Sequence, residues 1–140
     1  MAGTSLKESN ANIEMTKTLL DYVDRLGSNT NFWFGADRGR GRSRGRGQRE
    51  RKIGSSNIRN MASMAVNAEC YKEFRLFIEY KKGKGNGWND HFENGKVFGD
   101  VLLEYMDEIY KKCNYDDDET LKQVSRLFGY LYWKVRAMEE

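Results

Sequence analysis

The sequence has no proline, a single histidine, two cysteines and no long apolar run. Each scarcity removes a class of protein. Without proline the strongest helix breaker is missing, which suits an all-helical chain. Cys70 and Cys113 stand 43 residues apart, which is neither a disulfide framework nor a metal-ligand spacing. Both fall among apolar residues of predicted helices and read as buried thiols. No run of about 18 apolar residues exists, so no membrane span is expected. The first residues show no basic-then-apolar signal pattern, so a reducing cytoplasm is the expected compartment. His91 has no partner motif around it, which leaves histidine-based acid–base or nucleophilic catalysis without support.

What is abundant is arginine, in one place. Residues 38–52 read RGRGRSRGRGQRERK, with eight positive charges, one negative, four glycines and no apolar side chain. The other residues hold 16 positive and 20 negative charges, so the net +3 of the chain comes from this segment alone. Glycine leaves the backbone free and dense arginine repels itself, so residues 36–53 are expected to be disordered or extended until a polyanion is present. Arg40, Arg42, Arg44 and Arg46 are its candidate RNA contacts. Such block asymmetry most often serves nucleic acid.

The 140 residues are 39% hydrophobic and 13% aromatic, enough for one small core. A first helix is predicted from about residue 10 to 26, with Ile13, Leu19, Leu20, Val23 and Leu26 on one face, a cap at Ser9 or Asn10 and a stop at Gly27. Phe32, Trp33 and Phe34 follow. They could stack on bases, but three adjacent aromatics cannot all face one ligand, so core packing is the better reading. One long helix is predicted from Ser55 to about Gly83, with Ile58, Met61, Ala65, Ala68, Tyr71, Phe74 and Ile78 recurring every three or four residues. Leu76 and Phe77 widen its buried stripe. Residues 83–95 read as a glycine-rich loop.

A further helix is predicted over 97–113, burying Val97, Val101, Leu102, Tyr105, Ile109 and Cys113. The last is capped by Asp117 or Asp118 and carries Leu121, Val124, Phe128, Leu131 and Val135 at alternating spacings of three and four, a seam for a neighbour. The expected fold is all-α: a small bundle of four to five helices with an Arg/Gly-rich insertion. The expected organisation is an N-terminal helix and aromatic linker over 1–35, the basic segment over 36–53 and a helical core over 54–140.

Candidate chemistry is sparse. Asp116, Asp117 and Asp118 could suggest a metal, but acids before a helix are explained by its dipole. GKGNG at 83–87 lacks the preceding strand and the Lys-Ser/Thr ending of a phosphate loop. No enzyme activity, metal or cofactor is expected. The helical part instead offers Arg59, Arg75, Lys81, Lys82, Lys84, Arg126 and Lys134 as candidate contacts to RNA phosphates, which position a strand without reading its sequence.

Three stretches resemble a known family. SSNIRNMASMA at 55–65, FIEYKKGKG at 77–85 and SRLFGYLYWKV at 125–135 resemble helices of the small subunit of type III, III-A-like, CRISPR effector complexes. The chain departs from that family at Lys84, where Arg is usual, and at Gly129, where an acid is common. The Arg-Gly run is not a general family feature. The resemblance implies an all-helical, non-catalytic subunit of a cytoplasmic antiviral ribonucleoprotein. It would stack in several copies beside the backbone and large subunits and contact guide and target RNA without sequence specificity. Carried over residue by residue, it marks Arg59, Lys84, Arg126 and Lys134. Two other readings stand beside it: an independent RNA-binding protein or chaperone working through the Arg-Gly arm, and a helical interaction protein whose arm only aids solubility.

Overall fold

The computed structural model describes residues 2–34 and 53–139, with side chains from residue 10 onward. The Arg/Gly-rich segment, with Arg40, Arg42, Arg44 and Arg46, lies outside the described residues. The chain is an all-α helical bundle. Its described helices are α1 (Ala2–Ser28), α2 (Thr30–Phe34), α3 (Ser55–Asn67), α4 (Tyr71–Lys84), α5 (Phe98–Lys112) and α6 (Asp117–Glu139). Between α4 and α5 sits a small antiparallel hairpin of β1 (His91–Glu93) and β2 (Lys96–Val97).

α6 organises the bundle, touching α1, α3, α4 and α5. Its seam residues Leu121, Val124, Phe128, Leu131 and Val135 are all buried, as their spacing predicts. Side-chain contacts give the directions. Ser125 Oγ donates to the Ala62 carbonyl at 2.8 Å and Ser55 Oγ reaches Glu139 at 3.4 Å, so α3 runs antiparallel to α6. Thr16 meets Arg126 and Asp24 meets Lys134, so α1 runs parallel to it. α4 and α5 are antiparallel, joined by Arg75–Asp107 and Lys82–Asp100. Leu19, Tyr22, Val23, Leu26, Phe32 and Trp33 join the same core as α3–α6.

The predicted helix over 55–83 is two helices. The chain is extended at Ala68 and at Cys70. The break is held by carboxylates: Glu73 accepts the Glu69 N–H at 2.7 Å, and Asp117 Oδ1 accepts the Tyr71 N–H at 3.1 Å. These satisfy donors that a helix start leaves open. Asp117 therefore caps α4, and Asp116 caps α6 by accepting the Glu119 N–H at 2.8 Å. Both correct the expected cap at Asp117 or Asp118. α1 also begins at Ala2, well before the expected cap at Ser9 or Asn10. Ile13, Leu20 and Leu76 are exposed rather than buried. Cys70 stands at the start of α4, half-buried; Cys113 is buried, and that burial pushes its thiol pKa up.

Residues 83–95 are more than a loop. Asn94 and Gly95 both have positive φ, 48° and 74°, the geometry of the two-residue hairpin turn that Asn-Gly favours. The hairpin and the turn before it deliver Trp88 and Phe92 to the core. There they surround Phe98 together with Phe32 and Trp33. Trp33 Nε1 donates to the Leu26 carbonyl at 2.8 Å, so this aromatic knot packs and has no open ring face to offer.

Gly27 does not stop α1 by a left-handed turn. It lies inside the helix, and a Cβ there would fall 2.7 Å from Lys134 Cγ. Any side chain at this position would have to displace the Lys134 stem. Ala normally stabilises a helix over Gly by up to about 1 kcal/mol. Gly27→Ala is therefore expected to destabilise the protein by urea denaturation, and to stabilise it when combined with Lys134→Ala. Equal effects in both backgrounds would contradict the close approach.

Candidate nucleic-acid interface

The candidate cations divide into two groups by what already holds them. Arg75 is committed inward. Its Nε and Nη2 donate to the two oxygens of Asp107, each at 2.8 Å, and Nη1 pairs with Glu79. Tyr71 also donates its hydroxyl to Asp107. Lys82 pairs with Asp100 at 2.7 Å, its stem lying against Gly99. Lys134 lies over Gly27 and reaches Asp24 at 3.5 Å. These three neutralise carboxylates on neighbouring helices and tie α4 to α5 and α6 to α1.

The other four have no carboxylate partner among the described residues, and each sits over an aromatic ring. The Arg59 guanidinium lies 5.5 Å from the centre of Tyr132, and that of Arg126 lies 5.5 Å from Tyr130. Lys84 is 5.5 Å from Tyr80; Lys81 is 5.9 Å from Phe77 and 5.7 Å from Trp88. A ring face holds a cation without neutralising it. Among the described residues, no carboxylate neutralises these four charges as Asp107, Asp100 and Asp24 neutralise Arg75, Lys82 and Lys134.

Arg59 and Arg126 line one groove with Gly129, Tyr130, Tyr132 and Trp133, a volume of about 400 Å³. Five of its six lining residues belong to α6 and one, Arg59, to α3. Arg126, Tyr130 and Trp133 recur at intervals of four and three, on one face of α6. A Cβ at Gly129 would meet nothing within 4 Å, so the floor is open. α3 brings Arg59 in from the side, against Tyr132.

Arg126 is held rigidly. It donates to Gln123 Oε1 at 2.8 Å, Thr16 Oγ1 at 2.7 Å and the Tyr130 hydroxyl at 2.8 Å. Gln123 is buried and donates in turn to Glu119 at 2.6 Å. All three of these partners are neutral, so its charge is positioned and, among the described residues, not cancelled. Three donors are used, and two of the five on a guanidinium have no partner among the described residues. The two are the Nε–H and one Nη1–H, on different edges of the guanidinium, so Arg126 can offer an anion single hydrogen bonds beside its charge but no free bidentate edge.

Lys81 and Lys84 stand elsewhere, at the C-terminus of α4, where cations also complement the helix dipole. Sequence reasoning named the two arginines of the groove but not Tyr130, Tyr132 and Trp133 as site residues. The signal available was YLYW at 130–133, four large residues on a helix with only Leu131 on the seam.

The Arg75–Asp107 pair has a consequence for acid stability. Hydrogen bonds from Arg75, and then from Tyr71, hold the Asp107 carboxyl below its usual range. A lowered folded-state pKa contributes stability above the unfolded value of about 3.9 and loses it as pH falls through the folded value. Asp107→Asn is expected to be less stable than the native chain at pH 7. The gap should close below about pH 3.9. Urea midpoints measured across that range check it, and a constant gap would contradict the pairing.

Among the described residues no three of His, Cys, Asp and Glu are placed to hold a metal, and no described helix is long and apolar enough to cross a membrane. Fold and groove together define an all-α bundle bearing an arginine–aromatic groove. No family model matches the chain, and no curated protein or solved structure matches it either.

Proposed function

We propose that the chain is a non-catalytic, RNA-contacting small subunit of a type III CRISPR RNA-guided effector complex, acting in the cytoplasm in antiviral defence. It lies along guide and target RNA, beside the backbone and large subunits and further copies of itself, and contacts phosphates without reading sequence. The resemblance of residues 55–65, 77–85 and 125–135 to that family supports this reading. One observation carries the RNA contact. Arg59 and Arg126, 67 residues apart in sequence, line the same groove, and neither meets a carboxylate among the described residues. Two guanidinium groups beside open aromatic surface suit a polyanionic strand.

Affinity purification of the tagged chain from its host tests the proposal. The expected eluate contains a guide RNA and the other subunits in stable association. Recovery of the chain alone, free of RNA and partners, would count decisively against it.

The charge of residues 38–52 favours a second reading, an independent RNA-binding protein that works through the Arg-Gly arm. That reading expects deletion of 38–52 to remove most RNA affinity and most of its salt dependence. The first expects the groove to retain a measurable share of both.

A further inference from the structure

We infer that the groove of α6 takes an unpaired base, stacked on Trp133, with the adjoining phosphates held by Arg59 and Arg126. This rests on the RNA-contact reading above and adds to it a preference: single strand over duplex.

The argument begins with the tryptophans. Trp33 and Trp88 are 4% and 1% exposed, while Trp133 is 67% exposed. The fold buries its other indoles and leaves this one out, on the same helix face as Arg126. Two further rings stand beside it, but both are already covered. Tyr132 lies under Arg59 and Tyr130 under Arg126. Trp133 sits 5.6 Å from Tyr130 at an interplanar angle of 59°, a tilted contact that leaves an indole face free. Gly129 keeps the groove beneath open. The result is one exposed aromatic face beside two positioned guanidinium groups that meet no carboxylate among the described residues.

That combination selects its ligand by chemistry. An anion alone would need the arginines but not the indole. An apolar partner would need the indole but would bury two charges. A nucleotide supplies both a flat π-face and a phosphate on either side of it. In a duplex the base faces are stacked on each other and cannot reach Trp133; in a single strand they can. Duplex RNA can engage Arg59 and Arg126 only through its backbone.

The test uses the full chain and short oligoadenylate, with tryptophan fluorescence as the readout. Trp133 is the exposed indole, so stacking quenches it. Quenching by oligoadenylate is expected, and none by an abasic oligonucleotide of equal charge. Trp133→Ala should weaken single-strand binding about 5- to 150-fold and leave duplex binding within about twofold. Trp133→Phe, which keeps a ring, should retain binding and lose the quench. If Trp133→Ala weakens both ligands alike or neither, or if the abasic strand quenches equally, the inference is wrong. In those cases a loss of binding in Arg59→Ala/Arg126→Ala would still uphold the RNA-contact reading. If the native chain shows no salt-dependent RNA binding at all, that reading fails and the inference fails with it.

Discussion

Phe98→Ala is expected to cost about 3–5 kcal/mol, the range for removing a buried phenylalanine. Phe98 is fully buried at the first turn of α5. It stacks on Phe32 at 4.7 Å and 22°, and meets Trp33 edge-on at 5.4 Å. Trp88 and Phe92 lie at 5.5 Å from it. Three separate segments, α2, the hairpin region and α5, converge on this one ring. Its loss leaves a cavity that four rigid aromatics cannot collapse to fill, and it removes aromatic pairings worth about 0.5–1.5 kcal/mol each beyond area. A small domain has about 5–15 kcal/mol in total, so the variant should sit near the edge of folding. Circular dichroism during urea unfolding measures it. Leu76→Ala, at a residue 63% exposed, is the control and should change stability by no more than about 0.5 kcal/mol. Similar effects from the two variants would contradict a core centred on Phe98.

Arg59→Ala/Arg126→Ala is expected to lower affinity for single-stranded RNA about tenfold or more for each charge removed, as for hydrogen bonds to charged groups. The dependence of log affinity on log salt should become shallower by about 0.7 for each phosphate that is no longer neutralised. Filter binding across a salt series reads both. Arg75→Ala and Lys82→Ala remove charges already held by Asp107 and Asp100, and should leave the slope unchanged while reducing stability. A uniform response to all four substitutions would mean that RNA responds to total charge, not to the groove.

The helical faces were legible because burial repeats with the helix. The 3-4-3-4 seam of α6 is buried as spacing alone predicts, and so are Ile58, Met61, Ala65, Tyr71, Phe74 and Ile78 of the predicted row, whereas Ala68 is only half-buried because the helix breaks there. Leu76 misled because an apolar residue beside a seam looks the same whether or not a neighbour covers it. The break at 68–70 carries no glycine or proline. It is held by Glu73 on the Glu69 N–H, a local contact, and by Asp117, 46 residues beyond Tyr71 in the chain, which no local pattern reveals. The hairpin at 91–97 did have a local signal in Asn94-Gly95, which the surrounding glycines obscured. Gly27 marked the end of α1 to within one residue, but the close passage of the Lys134 side chain over it exists only in the tertiary structure.

The site was half legible for the same reason. Family resemblance could mark Arg59, Lys84, Arg126 and Lys134, and composition could add Arg75, Lys81 and Lys82. Sequence could not sort them. Whether a cation is free depends on which carboxylate the fold brings to it: Asp107 to Arg75, Asp100 to Lys82, Asp24 to Lys134. The same holds for aromatics. Trp33, Trp88 and Trp133 look alike in the sequence, and only packing shows that two are covered and one is exposed.

Ultraviolet cross-linking of single-stranded RNA to the full chain, followed by peptide mapping, tests the central claim most directly. The groove predicts cross-links within residues 126–134, at Tyr130, Tyr132 or Trp133. Cross-links confined to residues 38–52, with none in 126–134, would contradict it.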